Sequence, residues 1–240
     1  MTKEKILLII PAYNEEECIL KTYQSIIKYN KDNKVNYDVI VINDGSTDST
    51  EQILRDNCIP HVKLIHNLGI GGAVQTGYKY AYDNNYDIAI QFDGDGQHDV
   101  NYVKDIIKPI IDNKCDFVIG SRYIDKTKSK FKSSKARRVG ISIISKVIKL
   151  VTGRRVLDTT SGFRACNKTI IKEFSLNYPL EYPEPVTTTE LLKKGYRFKE
   201  VAVSMNERLG GKSSIKSLKN AYYMINVCLS IFVVGLRRYK

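Results

Sequence analysis

The chain has 240 residues, 42% of them hydrophobic and 10% aromatic, which suits one sizeable α/β domain or at most two small ones and excludes a disordered or fibrous protein. Its five cysteines, at positions 18, 58, 115, 166 and 228, are odd in number and far apart, which excludes a disulfide framework and any Cys-x-x-Cys metal or redox site and makes a reducing cytoplasm the expected compartment. The formal charge of +12 hides an asymmetry: residues 1–121 carry 12 bases and 18 acids, 122–149 carry ten bases against Asp125 alone, and 193–240 carry eleven against Glu200 and Glu207.

An acidic front half followed by two basic segments predicts a metal- or substrate-binding core joined to surfaces that meet an anion. The run Ile6 to Ile10 ends at Pro11 and is too short for a signal-peptide core. Along the first 120 residues short apolar runs alternate with helical patterns, the signature of a mostly parallel sheet with crossover helices. Strands are predicted over Lys5–Ile10, Tyr37–Asn43, Val62–His66, Asp87–Phe92 and Asp116–Gly120. Helices are predicted over Glu15–Tyr29, Asp48–Asn57, Gly72–Asp83 and Val100–Asp112. Each strand empties into a polar cluster, and in open α/β sheets such clusters converge on one crevice beyond the carboxyl ends of the strands.

In the second half, Val139–Val151 places Ile141, Ile144, Val147, Ile148 and Val151 on one face of a basic amphipathic helix, and Arg197–Val203 reads as one more strand. Ala221–Leu236 is an uncharged run closed by Arg237, Arg238 and Lys240. As a helix it is about 24 Å long, short of the ~30 Å hydrocarbon core, so it is expected to lie in a membrane interface or to pack on a partner. The expected division is a main domain over residues 1–215 and a tail helix over 216–240.

The first strand opens into Pro11-Ala12-Tyr13-Asn14-Glu15-Glu16, without the glycines of a dinucleotide fold, and no Walker A sequence occurs. Asp44-Gly45-Ser46 follows the second strand; Asp44 is placed to accept from a base edge or ribose hydroxyl, and Asp48 to cap the next helix. Asp93-Gly94-Asp95-Gly96-Gln97-His98 follows the fourth strand. Two carboxylates one residue apart repel unless a cation lies near them, and oxygen ligands suit Mg²⁺ or Mn²⁺. His98 reads as a residue that supports the ligands from behind, or as a plain loop residue, rather than as a ligand itself.

These pieces, with Asn67-Leu68-Gly69-Ile70-Gly71-Gly72-Ala73, Gly120-Ser121-Arg122-Tyr123, Asp158-Thr159-Thr160-Ser161-Gly162-Phe163-Arg164 and Arg208-x-Gly210-Gly211-x-Ser213-Ser214, occur in an order that resembles the family-2 glycosyltransferases with the GT-A fold. The nearer group is the bacterial polysaccharide-assembly and polyprenyl-phosphate transferases, similar to dolichyl-phosphate-mannose synthases. The resemblance covers residues 4–215. It implies an inverting, metal-dependent transfer of a sugar from a nucleotide diphosphate, a UDP-sugar favoured, to a polyprenyl phosphate or lipid-linked glycan. The work is expected on the cytoplasmic face of the inner membrane, with a small membrane protein as a further possible partner. By the same resemblance Pro11, Ala12, Tyr13, Glu15, Asp44, Gly45, Gly71, Gly72, Asp93 and Gly94 line the nucleotide-sugar site, and Asp93, Asp95 and Gln97 gather around the metal. Arg122, Arg137, Arg138, Ser161 and Arg164 face the acceptor or diphosphate. Asp95, Glu184, Arg122 and Arg164 are the catalytic candidates.

One position departs from the pattern. The family's acidic base position falls on Val186. Either Glu184 has taken over, or the acceptor is a phosphate monoester that needs no base because it is already an anion at pH 7. Two other classes remain: a catalytically silent scaffold that binds through Ala221–Leu236, and a nucleic-acid binder. The second is disfavoured, because it leaves the acidic front half unexplained and no basic face carries interleaved aromatics.

Overall fold

A computed structural model describes residues 4–125, 135–206 and 219–239. The Arg208–Ser214 motif and the basic residues between 126 and 134 lie outside them. The strands are β1 (Ile6–Ala12), β2 (Asp38–Asn43), β3 (His61–Lys63), β4 (Ile88–Gln91), β5 (Phe117–Ser121), β6 (Arg164–Asn167) and β7 (Phe198–Ala202). They form one sheet in the order β3-β2-β1-β4-β6-β5-β7. β6 runs antiparallel to both neighbours, with Gln91 opposite Arg164 on one side and Ile119 opposite Arg164 on the other. The other pairings are parallel. This is the mostly parallel sheet the sequence predicts.

Alternation along β1 explains why the sheet is covered on both faces. Ile6, Leu8 and Ile10 enter one core with Ile26 of α1 (Ile19–Asn33), Leu54 of α2 (Thr50–Asp56) and Ile106 of α4 (Val103–Ile111). Leu7 and Ile9 enter the other core with Val74 of α3 (Gly69–Asp83), Ile148 of α5 (Lys135–Thr152), Phe174 of α6 (Lys168–Leu176), Leu191 of α7 (Pro183–Lys193) and Ile231 of α8 (Lys219–Leu236).

Three local differences from the sequence reading have physical causes. α1 starts at Ile19 rather than Glu15, because the backbone N–H groups of Glu15 and Glu16 are bonded to Thr50 Oγ1 and an Asp48 carboxylate oxygen across the next loop. β3 ends at Lys63 rather than His66, where the chain leaves the sheet edge with Ile65 exposed. β6, α6 and the full extent of α7 have no counterpart among the predicted elements.

α8 is built into the second core through Val227 and Ile231, while Tyr222, Ile225, Leu229, Phe232 and Leu236 stay exposed. Its apolar residues thus occupy the outer side as well as the packed side, unlike a helix with one apolar and one polar face. α5 buries Ile141, Ile144 and Ile148, as its periodicity predicts, and exposes Val139, Ile143 and Leu150. Among the described residues no helix is long and apolar enough to cross a membrane.

Candidate active site

The carboxyl ends of β1, β2 and β4 and the entrance to β6 meet at one edge of the sheet. β1 delivers Pro11 and Ala12, both buried, and Tyr13, which is exposed. The loop after β1 is zipped to the loop after β2. Asn14, in the left-handed region at φ 55, donates its N–H to Ser46 Oγ at 3.0 Å and accepts from Thr47 N at 2.8 Å. Ser49 N donates to Glu16 Oε2 at 2.9 Å. The cap position of α2 is Ser49 rather than Asp48; Asp48, one residue earlier, accepts from the N–H of Thr50 at 3.0 Å and from that of Glu16, so it steadies the helix start and ties the two loops together.

Asp44 is 3% exposed, and its Oδ1 accepts from Leu68 N at 2.7 Å, just ahead of α3. Burial pushes this carboxyl up, opposed by the N–H groups of Leu68 and Gly69. Its orientation is therefore fixed by backbone. Gly71 serves packing: a Cβ there would lie 2.4 Å from Pro179 O and 2.5 Å from Leu180 Cα, so the start of α3 can pass under the segment after α6 only without a side chain.

Asp93 and Asp95 follow β4. Asp95 is 4% exposed, and its Oδ1 accepts from Gln97 N at 3.0 Å. Asp93 is partly open, and a Cβ on Gly162 would fall 2.9 and 3.0 Å from its two carboxylate oxygens, so the entrance to β6 forms a cradle beneath that side chain. Among the described residues no group of three or more His, Cys, Asp or Glu could hold a metal. The pair of carboxylates nonetheless offers the hard oxygen donors that Mg²⁺ or Mn²⁺ takes, with phosphate oxygens and water left to complete the shell. Pro11 O and Ile10 lie beside Gly94.

Behind this loop stands a polar array that the sequence reading only partly found. Glu184, in the first turn of α7, bonds the side chain of Gln91 at the end of β4 and faces Arg164 and Asp93; burial is the main cause that raises its pKa. Tyr178 Oη is 3.5 Å from Gln91 Oε1. Gln91 was missed; its signal is a lone amide closing an otherwise apolar buried strand. Arg164 is 1% exposed and sits against the Phe117 ring. Its guanidinium donates to Ser161 O at 2.6 Å and Thr187 Oγ1 at 3.1 Å, which places it in the wall under α7 rather than on the cleft surface. Ser161 is likewise buried, its hydroxyl donating to Gly120 O at 2.7 Å.

Arg122 forms a bidentate pair with Asp158, Nε to Oδ2 and Nη2 to Oδ1 both at 2.7 Å, with Nη2 also 3.2 Å from Thr160 Oγ1. Asp158 is fully buried, and its N–H and that of Leu157 donate to Glu200. Arg137 and Arg138, in the first turns of α5, are exposed. Partial desolvation and the neighbouring charge of Arg122 hold the Arg137 guanidinium below its ordinary range.

Residues 7–175 match the family model described as Glycosyl transferase family 2. The chain is 35% identical over 193 residues to the UDP-N-acetylglucosamine–dolichyl-phosphate N-acetylglucosaminyltransferase of Methanococcus voltae, covering 73% of this chain and 74% of that one. It is 26% identical over 223 residues to the undecaprenyl-phosphate mannosyltransferase of Micrococcus luteus, covering 88% and 87%. Among solved structures, glucosyl-3-phosphoglycerate synthase of Mycobacterium tuberculosis, in complex with Mn²⁺, UDP and phosphoglyceric acid, matches with a TM-score of 0.69 at 17% identity, covering 99% of this chain and 80% of that one. That likeness bears on the GT-A fold alone. The strand-end cleft, the sheet order and the family match agree, and the chain belongs to glycosyl transferase family 2 and is a glycosyltransferase.

Proposed function

We propose that this glycosyltransferase moves one sugar from a nucleoside diphosphate, a UDP-sugar in first place, to a polyprenyl phosphate at a membrane surface. The observation that carries this reading is the Asp93 carboxylate over the Gly162 cradle, with Asp95 two residues on in the same loop, together with relatives whose names specify dolichyl-phosphate and undecaprenyl-phosphate acceptors. In the reaction an acceptor phosphate oxygen attacks the anomeric carbon, the bond from that carbon to the diphosphate oxygen breaks, and the nucleoside diphosphate leaves with the electron pair. A bound Mg²⁺ or Mn²⁺ would supply neutralisation of the charge growing on that leaving group.

The chain's own residues do the rest. Asp93 and Asp95 would hold the cation. Pro11, Tyr13 and Asp44, set by the zipped loops, line the nucleoside side; Gly45 and Gly72 let the chain close on itself there, since a Cβ would lie 2.8 Å from Asn67 N and 2.5 Å from Leu68 Cβ. Arg137 and Arg138 present positive charge to the acceptor phosphate, while Arg122, paired with Asp158, forms the wall behind them. A phosphate monoester with a second pKa near 6 is an anion at pH 7, so no general base is required. Glu184, fixed by Gln91 across from Asp93, binds a hydroxyl of the transferring sugar.

The membrane placement rests on charge and apolar surface. The outer faces of α5 and α8 expose Val139, Ile143, Leu150, Ile225, Leu229 and Phe232, with Arg237 and Arg238 closing α8. An open groove of about 1050 Å³ runs along α8 from the start of α7, its wall mixing Leu180, Leu229 and Val233 with Glu181, Glu190 and Asn226, so the exposed apolar residues of α5 and α8, not this groove, carry the membrane placement. The test is transfer from radiolabelled UDP-, GDP-, CMP- and dTDP-sugars to undecaprenyl phosphate in vesicles with Mn²⁺. A UDP-sugar should be transferred, and Asp95→Asn should abolish transfer while leaving the fold intact by circular dichroism. Full transfer by Asp95→Asn would refute the metal role, and no transfer from any donor would favour the silent scaffold.

A further inference from the structure

His98 is enclosed on every side. Its side chain is 1% exposed, stacks on Phe163 at 4.7 Å and 16°, and meets the edge of Phe92 at 5.3 Å. Its Nδ1 accepts the N–H of Asp93 at 2.9 Å, which assigns the ring proton to Nε2. Nε2 then lies 3.3 Å from Asp93 Oδ2. The residue's backbone forms a bridge with Met205, and Asn206 N donates to Gln97 O at 2.9 Å, so the loop is clasped from outside as well.

We propose that His98 is a positioning residue that closes the Asp93–His98 loop on itself and aims the Asp93 carboxylate into the cleft. The ring grips Asp93 twice, at the amide and beside the carboxylate, while Phe163 holds the ring. Phe163 directly follows Gly162, whose backbone cradles the same carboxylate. One short stretch at the entrance to β6 therefore supports Asp93 from below and the residue that steers it from the side. Groups that orient a metal-binding side chain typically change metal affinity by about 10–100-fold when removed. The inference rests on the proposed cation site, so its test has one arm that does not depend on it.

In the first arm, hydrogen exchange of the metal-free full chain reads the Asp93 amide. It should be protected in the wild type and in His98→Asn, whose Oδ1 can accept the same N–H, and unprotected in His98→Phe, which keeps only the stacking. In the second arm, calorimetric titration of Mn²⁺ in the presence of UDP should show affinity reduced about 10–100-fold in His98→Phe and largely restored in His98→Asn, with the KM for metal rising more than kcat falls. Thermal melts confirm that each variant is folded. Unchanged Asp93 exchange in a folded His98→Phe would overturn the loop closure. Equal losses in the Asn and Phe variants would overturn the role of the ring nitrogen. Absence of Mn²⁺ binding by the wild type would overturn the cation site itself, which the exchange arm separates from failure of the loop closure.

Discussion

The two halves of the site are built from different interactions. In the first half, the strand-end loops are held by backbone N–H groups donating to side-chain oxygens: Asn14 to Ser46, Thr47 to Asn14, Glu15 to Thr50, Ser49 to Glu16 and Leu68 to Asp44. In the second half, charged side chains meet other charged side chains in the interior: Arg122 pairs with Asp158, and Glu184 faces Arg164 under α7. The difference teaches that a motif rich in charged residues can be a wall rather than a contact surface. Breaking the first kind of interaction perturbs a loop. Breaking the second leaves a charge without its partner in a low-dielectric place.

The largest effect is expected from Arg122→Met. It leaves Asp158 buried and unpaired, with an expected cost of about 3–5 kcal/mol and a fall in Tm of roughly 6–20 °C, followed by differential scanning calorimetry. Adding Asp158→Leu should recover most of the loss, and a single variant as stable as wild type would erase the distinction between the halves. A smaller effect is expected outside the wall. Arg237→Gln with Arg238→Gln should weaken binding to anionic vesicles by about 1 kcal/mol per charge, roughly 30-fold together, in a sedimentation assay at low salt. The difference should fade at 0.5 M salt through screening; equal binding at low salt would detach the tail from the membrane reading.

The smallest effect concerns Glu184. Its folded-state pKa is raised, so its contribution to stability is complete below the unfolded value near 4.3 and is lost as the pH rises through the folded value. Glu184→Gln should therefore raise Tm at pH 8 by about 2–4 °C for each kcal/mol relieved, with no gain at pH 4. The same variant sharpens the mechanism. A hydroxyl-binding role predicts a loss of transfer below about 10²-fold, whereas a general base predicts about 10²–10⁴-fold.

Much of the parallel half was legible because its signals recur: apolar runs of three to five residues, each followed by a polar cluster. The second half was less so. β6 is a four-residue strand that begins with a buried arginine and ends in Asn167, a composition no strand pattern selects. α7 carries Thr187, Thr188 and Thr189, poor helix formers whose hydroxyls bond back to carbonyls of the preceding turn. Among the site residues, the carboxylates after β4 announced themselves by repulsion. Arg164 and Ser161 stood in a recognisable motif, yet the sequence could not tell that they face inward, because burial of a charge depends on partners brought from Thr187 and Gly120.

The reversed direction of β6 bears on how the protein is made. Every strand from β1 to β4 has emerged and can pair while β6 is still unsynthesised, so a growing chain displays the free backbone edge of β4 until Arg164 arrives to sit against Gln91. Such an open edge invites pairing with another nascent chain, and joining strands so distant in sequence is slow. Insertion of the last central strand is then the event that both silences that edge and unites the two sides of the cleft, so a ribosome-stalled fragment ending before Ser161 should be prone to aggregate and unable to form the Asp93 cradle.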